Sequence, residues 1–222
     1  STGGIHALCQ VMADLPRARA VIEAVLANTD LPVSIKIRTR SGAVGALEFL
    51  DNISDLPVSA LTIHGRTLKQ GFVGAPDWKL VREARKHFSG VILANGGIND
   101  LAAAKKALRE SRADGLALAR GALGRPWLFK EIRSGKAIDL SEEEVFAIAL
   151  RQARLENEAG GPERIAAFRK HLAWYLQGLP GASKLRSEAV KASSVADIEK
   201  LFAPGRDLCL HIDTAGREDI VI

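Results

Sequence analysis

The chain has 222 residues, of which 47% are hydrophobic and 26% charged, a composition typical of a globular protein with a sizeable core. A formal net charge of +5 is compatible with an anionic partner but is too small to identify one. No apolar run of the length that spans a membrane is present, and the first residues lack the pattern of a signal peptide. With only Cys9 and Cys209, neither a disulfide framework nor a metal site is predicted, and a reducing cytoplasm is the expected location.

The first half of the chain alternates short apolar strands with helices. Strands are predicted at residues 33–38, 59–64, 91–94 and 114–119. Helices are predicted from Pro16 to about Leu26 and then at 43–53, 77–87 and 101–109, with a shorter one at 123–132. The strands recur every 24 to 32 residues or so, which matches the βα repeat of an eight-unit barrel. A doubly wound sheet has the same alternation.

The first strand carries two basic side chains on one face. Lys36 and Arg38 are one residue apart, so they lie on the side opposite Ile35 and Ile37. Alone, this pattern is typical of a solvated edge strand, because an unpaired ammonium is costly to bury. The other three strands also end in polar or basic residues: His64-Gly65-Arg66, Asn95-Gly96-Gly97 and Arg120-Gly121. Because the carboxyl ends of barrel strands meet at one mouth, we expect these residues to share a site.

Two of these strand ends are glycine-containing turns. Taken singly, Asn95-Gly96-Gly97 and Arg120-Gly121-Ala122 are each explained by a tight βα turn. On neighbouring strand ends, they favour a cradle for a phosphate group. His64 could bind a ligand or donate a proton, although a hydrogen-bonded structural histidine is commoner. The sequence has no H-x-x-H, acidic cluster or nucleophile elbow, which disfavours metal-dependent and serine hydrolysis.

Beyond a predicted linker at residues 134–140, the pattern is wholly helical. Ser141 and Glu144 form a capping box for a helix that Gly160-Gly161-Pro162 interrupts. Further helices are predicted at about 163–176, 183–191 and 194–202. The basic stretch 164–191 suits a solvated helix face as well as an anionic partner. Trp174 and Tyr175 could stack on bases, although aromatic side chains that pack between helices are commoner.

As a set, four motifs resemble the motif series of the tRNA-dihydrouridine synthases: Lys36-Ile37-Arg38, His64-Gly65-Arg66-Thr67, Asn95-Gly96-Gly97-Ile98 and the run from Arg120 to Phe129. The resemblance continues at Arg169-Lys170-His171-Leu172 and Trp174-Tyr175. It implies an α/β fold in which residues 1–133 are the C-terminal half of a TIM (β/α)8 barrel, strands five to eight. A small all-helical, tRNA-binding domain at 141–203 would follow, and the tail 204–222 has no assigned role.

The resemblance also implies an FMN-dependent oxidoreductase that uses NADPH to reduce the C5–C6 bond of particular uridines in tRNA. It places Lys36 against the flavin ring and His64 at the flavin or its ribityl chain. The phosphate side is assigned to Asn95, Gly96, Gly97, Ala119 and Arg120. Contacts with RNA are assigned to Arg38, Arg66, Arg169 and Lys170. A cytoplasmic monomer with no metal is expected.

Two positions depart from the family pattern. Ala119 stands where the family usually has glycine. The family's proton-donating cysteine lies in an Asn-x-Gly-Cys-Pro type motif that this sequence lacks, so that residue is expected upstream of Ser1, and Cys9 does not inherit the role. The chain alone is therefore expected to be inactive. Two alternatives stay open: another FMN-binding barrel oxidoreductase that acts on a small molecule, and a non-enzymatic RNA-binding remnant.

Overall fold

The computed structural model describes residues 11–179 and 181–203. The described chain forms two compact units, one of residues 11–122 with 126–138 and the other of residues 123–125 with 139–203. Cys9 and Cys209 both lie outside the described residues. The expectation that Cys9 does not act as the proton donor therefore stays a prediction. Within the described part, no helix has the length and apolar character needed to cross a membrane.

The first unit is built on a parallel sheet whose strands follow the order of the chain. Its strands are β1 (Ser34–Arg38), β2 (Arg40–Ser41), β3 (Val44–Gly45), β4 (Ala60–His64), β5 (Val91–Asn95) and β6 (Gly115–Ala117). Strands β1, β4, β5 and β6 are neighbours in that order and all pairs are parallel, while β2 and β3 form a small antiparallel hairpin. The predicted α/β class with a parallel sheet is confirmed; the assignment of these strands to the C-terminal half of a TIM barrel stays a prediction.

Helices connect these strands and cover one face of the sheet. They are α1 (Leu15–Ala27), α2 (Ala46–Asn52), α3 (Trp78–Glu83), α4 (Leu101–Ser111) and α5 (Leu128–Ser134), and a 3-10 turn at Ala84–Lys86 extends α3. Helices α1, α3 and α4 begin at aspartate caps, where the side chains of Asp14, Asp77 and Asp100 accept hydrogen bonds from backbone N–H groups. One core cluster joins the sheet to the helices through residues such as Ile37, Ile63, Ile22, Leu50, Val81 and Ala104.

Alternation along the strands separates an apolar face from a polar one. Ile37 and Ile63 are paired across β1 and β4, with exposures of 5% and 0%. On the opposite face, Lys36 pairs with Thr62, and both side chains are at least partly exposed. Burial of the apolar row under the helices stabilises the sheet. The polar side chains on the opposite face, such as Arg38, His64 and Asn95, are not covered by these helices at the carboxyl ends of the strands.

Two sequence expectations for local structure are wrong. The predicted helix 43–53 begins only at Ala46, because Gly42 turns with a φ of 57° and the chain first forms the β2–β3 hairpin. The predicted helix 123–132 begins at Leu128, after a 3-10 turn at Arg120–Ala122 and a positive φ of 65° at Gly124. A helix pattern alone does not reveal such turns when apolar residues surround them.

The second unit is helical, with α6 (Glu142–Tyr175), α7 (Ala182–Ala189) and α8 (Val195–Leu201). The predicted capping box at Ser141 and Glu144 is present, and α6 is interrupted at Gly160 and Gly161 as predicted. Within this unit, a Cβ on Gly124 would overlap the backbone of Trp174, so a side chain there is excluded. The second glycine of the Arg120 to Phe129 motif is thus a packing residue.

Candidate functional site

A pocket of about 240 Å³ opens at the carboxyl ends of the four parallel strands. It lies within the first unit and is lined by Lys36, Arg38, His64, Arg66, Phe72, Asn95, Gly96, Gly97, Ile98, Asn99, Ala117, Ala119, Arg120 and Gly121. Every strand of the parallel sheet contributes its last residues or the turn that follows. This is the edge of a parallel α/β sheet at which ligands bind.

The floor of the pocket is one row of the sheet. The register aligns Arg38 with His64 and His64 with Asn95, and the last two are only 5% and 6% exposed. The Asn95 amide nitrogen donates a hydrogen bond of 2.6 Å to the Ala117 carbonyl oxygen on β6. That bond fixes which end of the amide is the donor, so the Oδ1 acceptor of Asn95 is the group left for a ligand.

His64 is buried without a hydrogen bond at one ring nitrogen. Its Nε2 is a buried side-chain atom with no partner in the described part of the chain, and a Cβ on Gly96 would lie 2.8 Å from it. Burial, followed by the charges of Arg38, Lys36, Arg66 and Arg120, lowers the pKa of His64 to about 4. The ring is therefore neutral at pH 7, which makes it a hydrogen-bonding group and a poor proton donor there.

Arg66 is a buried cation that uses only part of its hydrogen-bonding capacity. The side chain belongs to a residue that is 7% exposed, and its Nε donates a hydrogen bond of 2.8 Å to the Gly74 carbonyl oxygen. Its Nη atoms have no hydrogen-bond or ion-pair partner within the described residues. Desolvation, then the charges of Arg120 and Arg38, lowers its pKa. Because the Nη atoms are not among the buried atoms without a partner in the described chain, they keep access to the pocket and can donate hydrogen bonds to an anion there.

The two turns beside Arg66 require glycine for different reasons. Gly96 and Gly97 have φ values of 112° and 65°, and a Cβ on Gly97 would lie 3.2 Å from Nη2 of Arg66. A Cβ on Gly121 would instead overlap the carbonyl oxygen of Ile98. The turn after β6 therefore packs backbone to backbone against the turn after β5, as adjacent strand ends of one sheet should.

The charge of the lining is entirely of one sign. Lys36, Arg38, Arg66 and Arg120 are its four cations, and no acidic side chain of the described chain is among the lining residues. Like charges that line one pocket repel each other. An anion in the pocket relieves that repulsion, and the N–H groups of arginine suit the oxygens of a phosphate.

All seven predicted cofactor residues line this one pocket: Lys36, His64, Asn95, Gly96, Gly97, Ala119 and Arg120. Two of the four predicted RNA contacts, Arg38 and Arg66, line it as well. The other two are in the second unit. There Arg169 donates a hydrogen bond of 2.6 Å from Nε to the Ala192 carbonyl oxygen, whereas Lys170 is exposed.

Sequence reasoning missed Phe72 in this site. Its ring lies 3.5 Å from the guanidinium carbon of Arg120, measured to the ring centroid, and the residue is 57% exposed. The only sequence signal was an aromatic residue between Gly71 and Gly74 in a loop after a strand, which also occurs in loops without function. No group of three or more His, Cys, Asp or Glu residues that could hold a metal is found in the described part of the chain.

This fold and this site together define an α/β protein with a cationic pocket suited to a phosphate-bearing ligand at the carboxyl ends of its strands. The chain belongs to the dihydrouridine synthase (Dus) family, whose family model matches residues 7–204.

Several curated relatives of the chain are named as enzymes of this family. It is 35% identical over 199 residues to tRNA-dihydrouridine synthase B of Pseudomonas syringae pv. tomato, covering 83% of the chain and 58% of the relative. It is 33% identical over 194 residues to probable tRNA-dihydrouridine synthase 1 of Synechocystis sp., covering 83% and 54%. For the probable tRNA-dihydrouridine synthase of Rhodobacter capsulatus, the identity is 32% over 203 residues, covering 88% and 62%. The chain thus spans little more than half the length of these relatives.

Proposed function

We propose that the protein is a tRNA-dihydrouridine synthase that holds FMN in the strand-end pocket and uses NADPH as the reductant. The observation that carries the proposal is a pocket lining with four cations, Lys36, Arg38, Arg66 and Arg120, and no acidic residue of the described chain. Membership of the family, whose named relatives act on tRNA, selects this reaction among those of phosphate-binding α/β proteins.

The residues of the pocket fit the chemistry of FMN. A phosphate monoester carries a charge of about −1.5 to −2 near neutral pH and three acceptor oxygens, and the cationic lining supplies the complementary charge. The Oδ1 of Asn95 offers a hydrogen-bond acceptor to uncharged polar atoms, and the ring of His64 lines the same pocket. Gly96 and Gly97 leave no side chain between the turn backbone and a ligand.

In this proposal the lining residues divide between the two ends of the ligand. Lys36 stabilises negative charge on the ring, and neutral His64 contacts the ring or the ribityl chain. The phosphate is held by the turns at residues 95–97 and 119–120, with the guanidinium of Arg120 and that of Arg66 nearby. When bound, the flavin would supply the hydride to C6 of uracil, and the proton that C5 must also receive would come from the family's cysteine motif, which is not among the pocket residues. Lys36 and His64 orient the ring.

The proposed substrate is a uridine within tRNA, held by basic residues outside the pocket. A stacked base cannot reach a strand-end pocket, so it must be extruded at a cost of a few kcal/mol. Phosphate contacts from basic side chains offset that cost. In the second unit, the proposed contact is from Lys170, which is exposed, whereas Arg169 donates a hydrogen bond to the Ala192 carbonyl oxygen and so also connects helical segments.

A comparison of Lys36→Met with Lys79→Met tests the flavin part of the proposal. Both changes remove one exposed lysine from the first unit, but only Lys36 lines the pocket. We expect the protein, in a form that includes the Asn-x-Gly-Cys-Pro type motif, to be yellow and to bind FMN. Lys36→Met should weaken FMN binding or slow flavin reduction by NADPH about tenfold, at unchanged melting temperature. Lys79→Met should behave like the unaltered protein. A well-folded protein that stays colourless with added FMN would refute the proposal.

Dihydrouridine formation in tRNA that lacks the modification tests the substrate part. We expect dihydrouridine to form with FMN, NADPH and tRNA when the protein is used in a form that includes the Asn-x-Gly-Cys-Pro type motif, and to be lost when any one of the three is omitted. A protein that binds FMN and oxidises NADPH but leaves tRNA unmodified would instead support an oxidoreductase that acts on a small molecule. Salt-sensitive tRNA binding without flavin would support a non-enzymatic RNA-binding role.

A further inference from the structure

Arg120 has an aromatic partner but no anionic one. Its guanidinium carbon lies 3.5 Å from the centroid of the Phe72 ring, and its guanidinium makes no hydrogen bond or ion pair within the described chain. A cation at this distance over a ring face is attracted by the electrons of the ring. Arg120 is thus held by a contact that does not neutralise its charge.

The stacked contact leaves the hydrogen-bonding edge of Arg120 unused. A guanidinium is planar, and its five N–H donors all lie in the plane. Stacking on Phe72 uses the face of that plane, so the donors at its edge stay available to an anion. An aromatic platform therefore orients the donors without competing for them.

The position of Phe72 depends on hydrogen bonds to the loop that carries it more than on burial of its ring. It is 57% exposed and lies in a loop that begins after Thr67, so burial contributes little to its position. Arg38 donates hydrogen bonds of 3.0 Å from one nitrogen, Nη1, to the carbonyl oxygens of Thr67 and Gly71. Arg66 donates from Nε to the Gly74 carbonyl oxygen at 2.8 Å. The two residues between Gly71 and Gly74 are thus fixed at both ends by side chains from the strand ends.

We propose that Phe72 is a positioning residue for Arg120, and that Arg38 and Arg66 hold the Phe72 loop in place for this purpose. The stack orients the Arg120 guanidinium before the anion arrives, so less side-chain freedom is lost on binding. The inference rests on the proposed function in taking the anion to be the phosphate of FMN. Its consequence is that Phe72 affects affinity for phosphate through Arg120 and not through a contact of its own.

Binding of inorganic phosphate, followed by ³¹P NMR titration, tests this without any flavin. We expect Phe72→Ala and Phe72→Leu to weaken phosphate binding about three- to tenfold, and Phe72→Tyr, which keeps the ring face, to retain it. Val73→Ala is the matched control, because Val73 is the next residue of the same loop and is 78% exposed. Far-UV circular dichroism and melting temperature establish that each variant is folded.

A double-mutant cycle separates positioning from a general effect on the loop. If Phe72 acts through Arg120, then Phe72→Ala should have no further effect on phosphate binding in an Arg120→Ala background. FMN compared with riboflavin gives a second measure, since only FMN has the phosphate and only its affinity should fall. Additive losses, an equal loss with Val73→Ala, or an unchanged affinity of Phe72→Ala for phosphate would each overturn the inference.

The outcomes also distinguish this inference from the proposed function. A protein that binds phosphate in a manner dependent on Phe72 and Arg120, but binds no FMN, would refute the flavin proposal and leave the positioning role standing. FMN binding that is insensitive to Phe72→Ala would refute the positioning role and leave the flavin proposal standing. A protein that binds neither inorganic phosphate nor FMN would overturn both.

Discussion

His64 faces four positive charges and has a buried ring nitrogen without a hydrogen bond, so protonation of its ring is strongly unfavourable in the folded protein. The pKa falls from its ordinary value of 6.5 to about 4 on folding. Between these two values the unfolded chain binds a proton that the folded chain does not. The free energy of unfolding should therefore decrease as the pH is lowered through this range, and be unaffected by His64 above it.

Replacement of His64 by glutamine should remove this pH dependence. We expect the free energy of unfolding of the unaltered protein to lose up to about 3 kcal/mol between pH 6.5 and pH 4 through His64, and that of His64→Gln to lose correspondingly less. Urea unfolding across this pH range measures the difference. His87→Gln is a control, because His87 lies outside the pocket and contacts Asp51. Parallel pH profiles for the unaltered protein and His64→Gln would contradict the prediction.

Individual site residues were predictable from the sequence where the alternation of side chains along a strand assigns them to one face. Alternation places Lys36 on the face opposite Ile35 and Ile37, and the polar ends of the other three strands make that face the expected site. The roles of Arg66 and Phe72 could not be deduced, because both depend on the path of the loop that brings Gly74 back to the guanidinium. Such a path is determined by hydrogen bonds between residues distant along the strand and loop, which leave no periodic signal.

Glycine residues mark where helices end or are interrupted in both units. In the second unit, Gly161 interrupts α6 with φ 65° and ψ −155°, a conformation that is essentially restricted to glycine. Gly160 has a φ of −175°, which is extended backbone open to other residues, and a Cβ there meets only the Arg164 side chain. Adjacent glycines at one break thus carry different constraints.

Alanine at these two glycines should therefore have unequal effects. We expect Gly161→Ala to lower the free energy of unfolding by about 1–3 kcal/mol, because a Cβ strains the positive-φ conformation. Gly160→Ala is the matched control and should cost clearly less, since the flexible Arg164 side chain can move aside. Thermal unfolding of both variants measures the difference. Equal destabilisation would show that the backbone angle at Gly161 is not the constraint.

At the scale of elements, long amphipathic patterns and their caps were readable from the sequence. The capping box at Ser141 and the break after residue 159 are where they were predicted. The hairpin of β2 and β3 was not, because each of its strands has only two residues and Gly42 alone marks the turn. A pair of that length has no period to detect, so its presence depends on the surrounding fold.

At the scale of the whole molecule, the location of the site was predictable from the sequence because one face of the parallel sheet is polar at the strand ends. Four strand ends with polar residues are improbable on an ordinary buried parallel sheet, whose strands are apolar on both faces. Their convergence on one pocket follows from parallel pairing in chain order. What the sequence could not supply is the division of the arginines between ligand and loop, which requires the distances to Thr67, Gly71 and Gly74.

The proposed binding of tRNA should depend on the salt concentration, a property of the charge of the whole molecule. With a net charge of +5 and exposed basic residues in the helical unit, binding should weaken as salt rises. If Lys170 contacts a phosphate, Lys170→Ala should reduce the slope of log affinity against log salt by about 1, at unchanged stability. Arg169→Ala should lower the melting temperature instead, because it removes the hydrogen bond to the Ala192 carbonyl oxygen. Filter binding at several salt concentrations, paired with thermal unfolding, tests both; an unchanged slope for Lys170→Ala would remove Lys170 from the RNA interface.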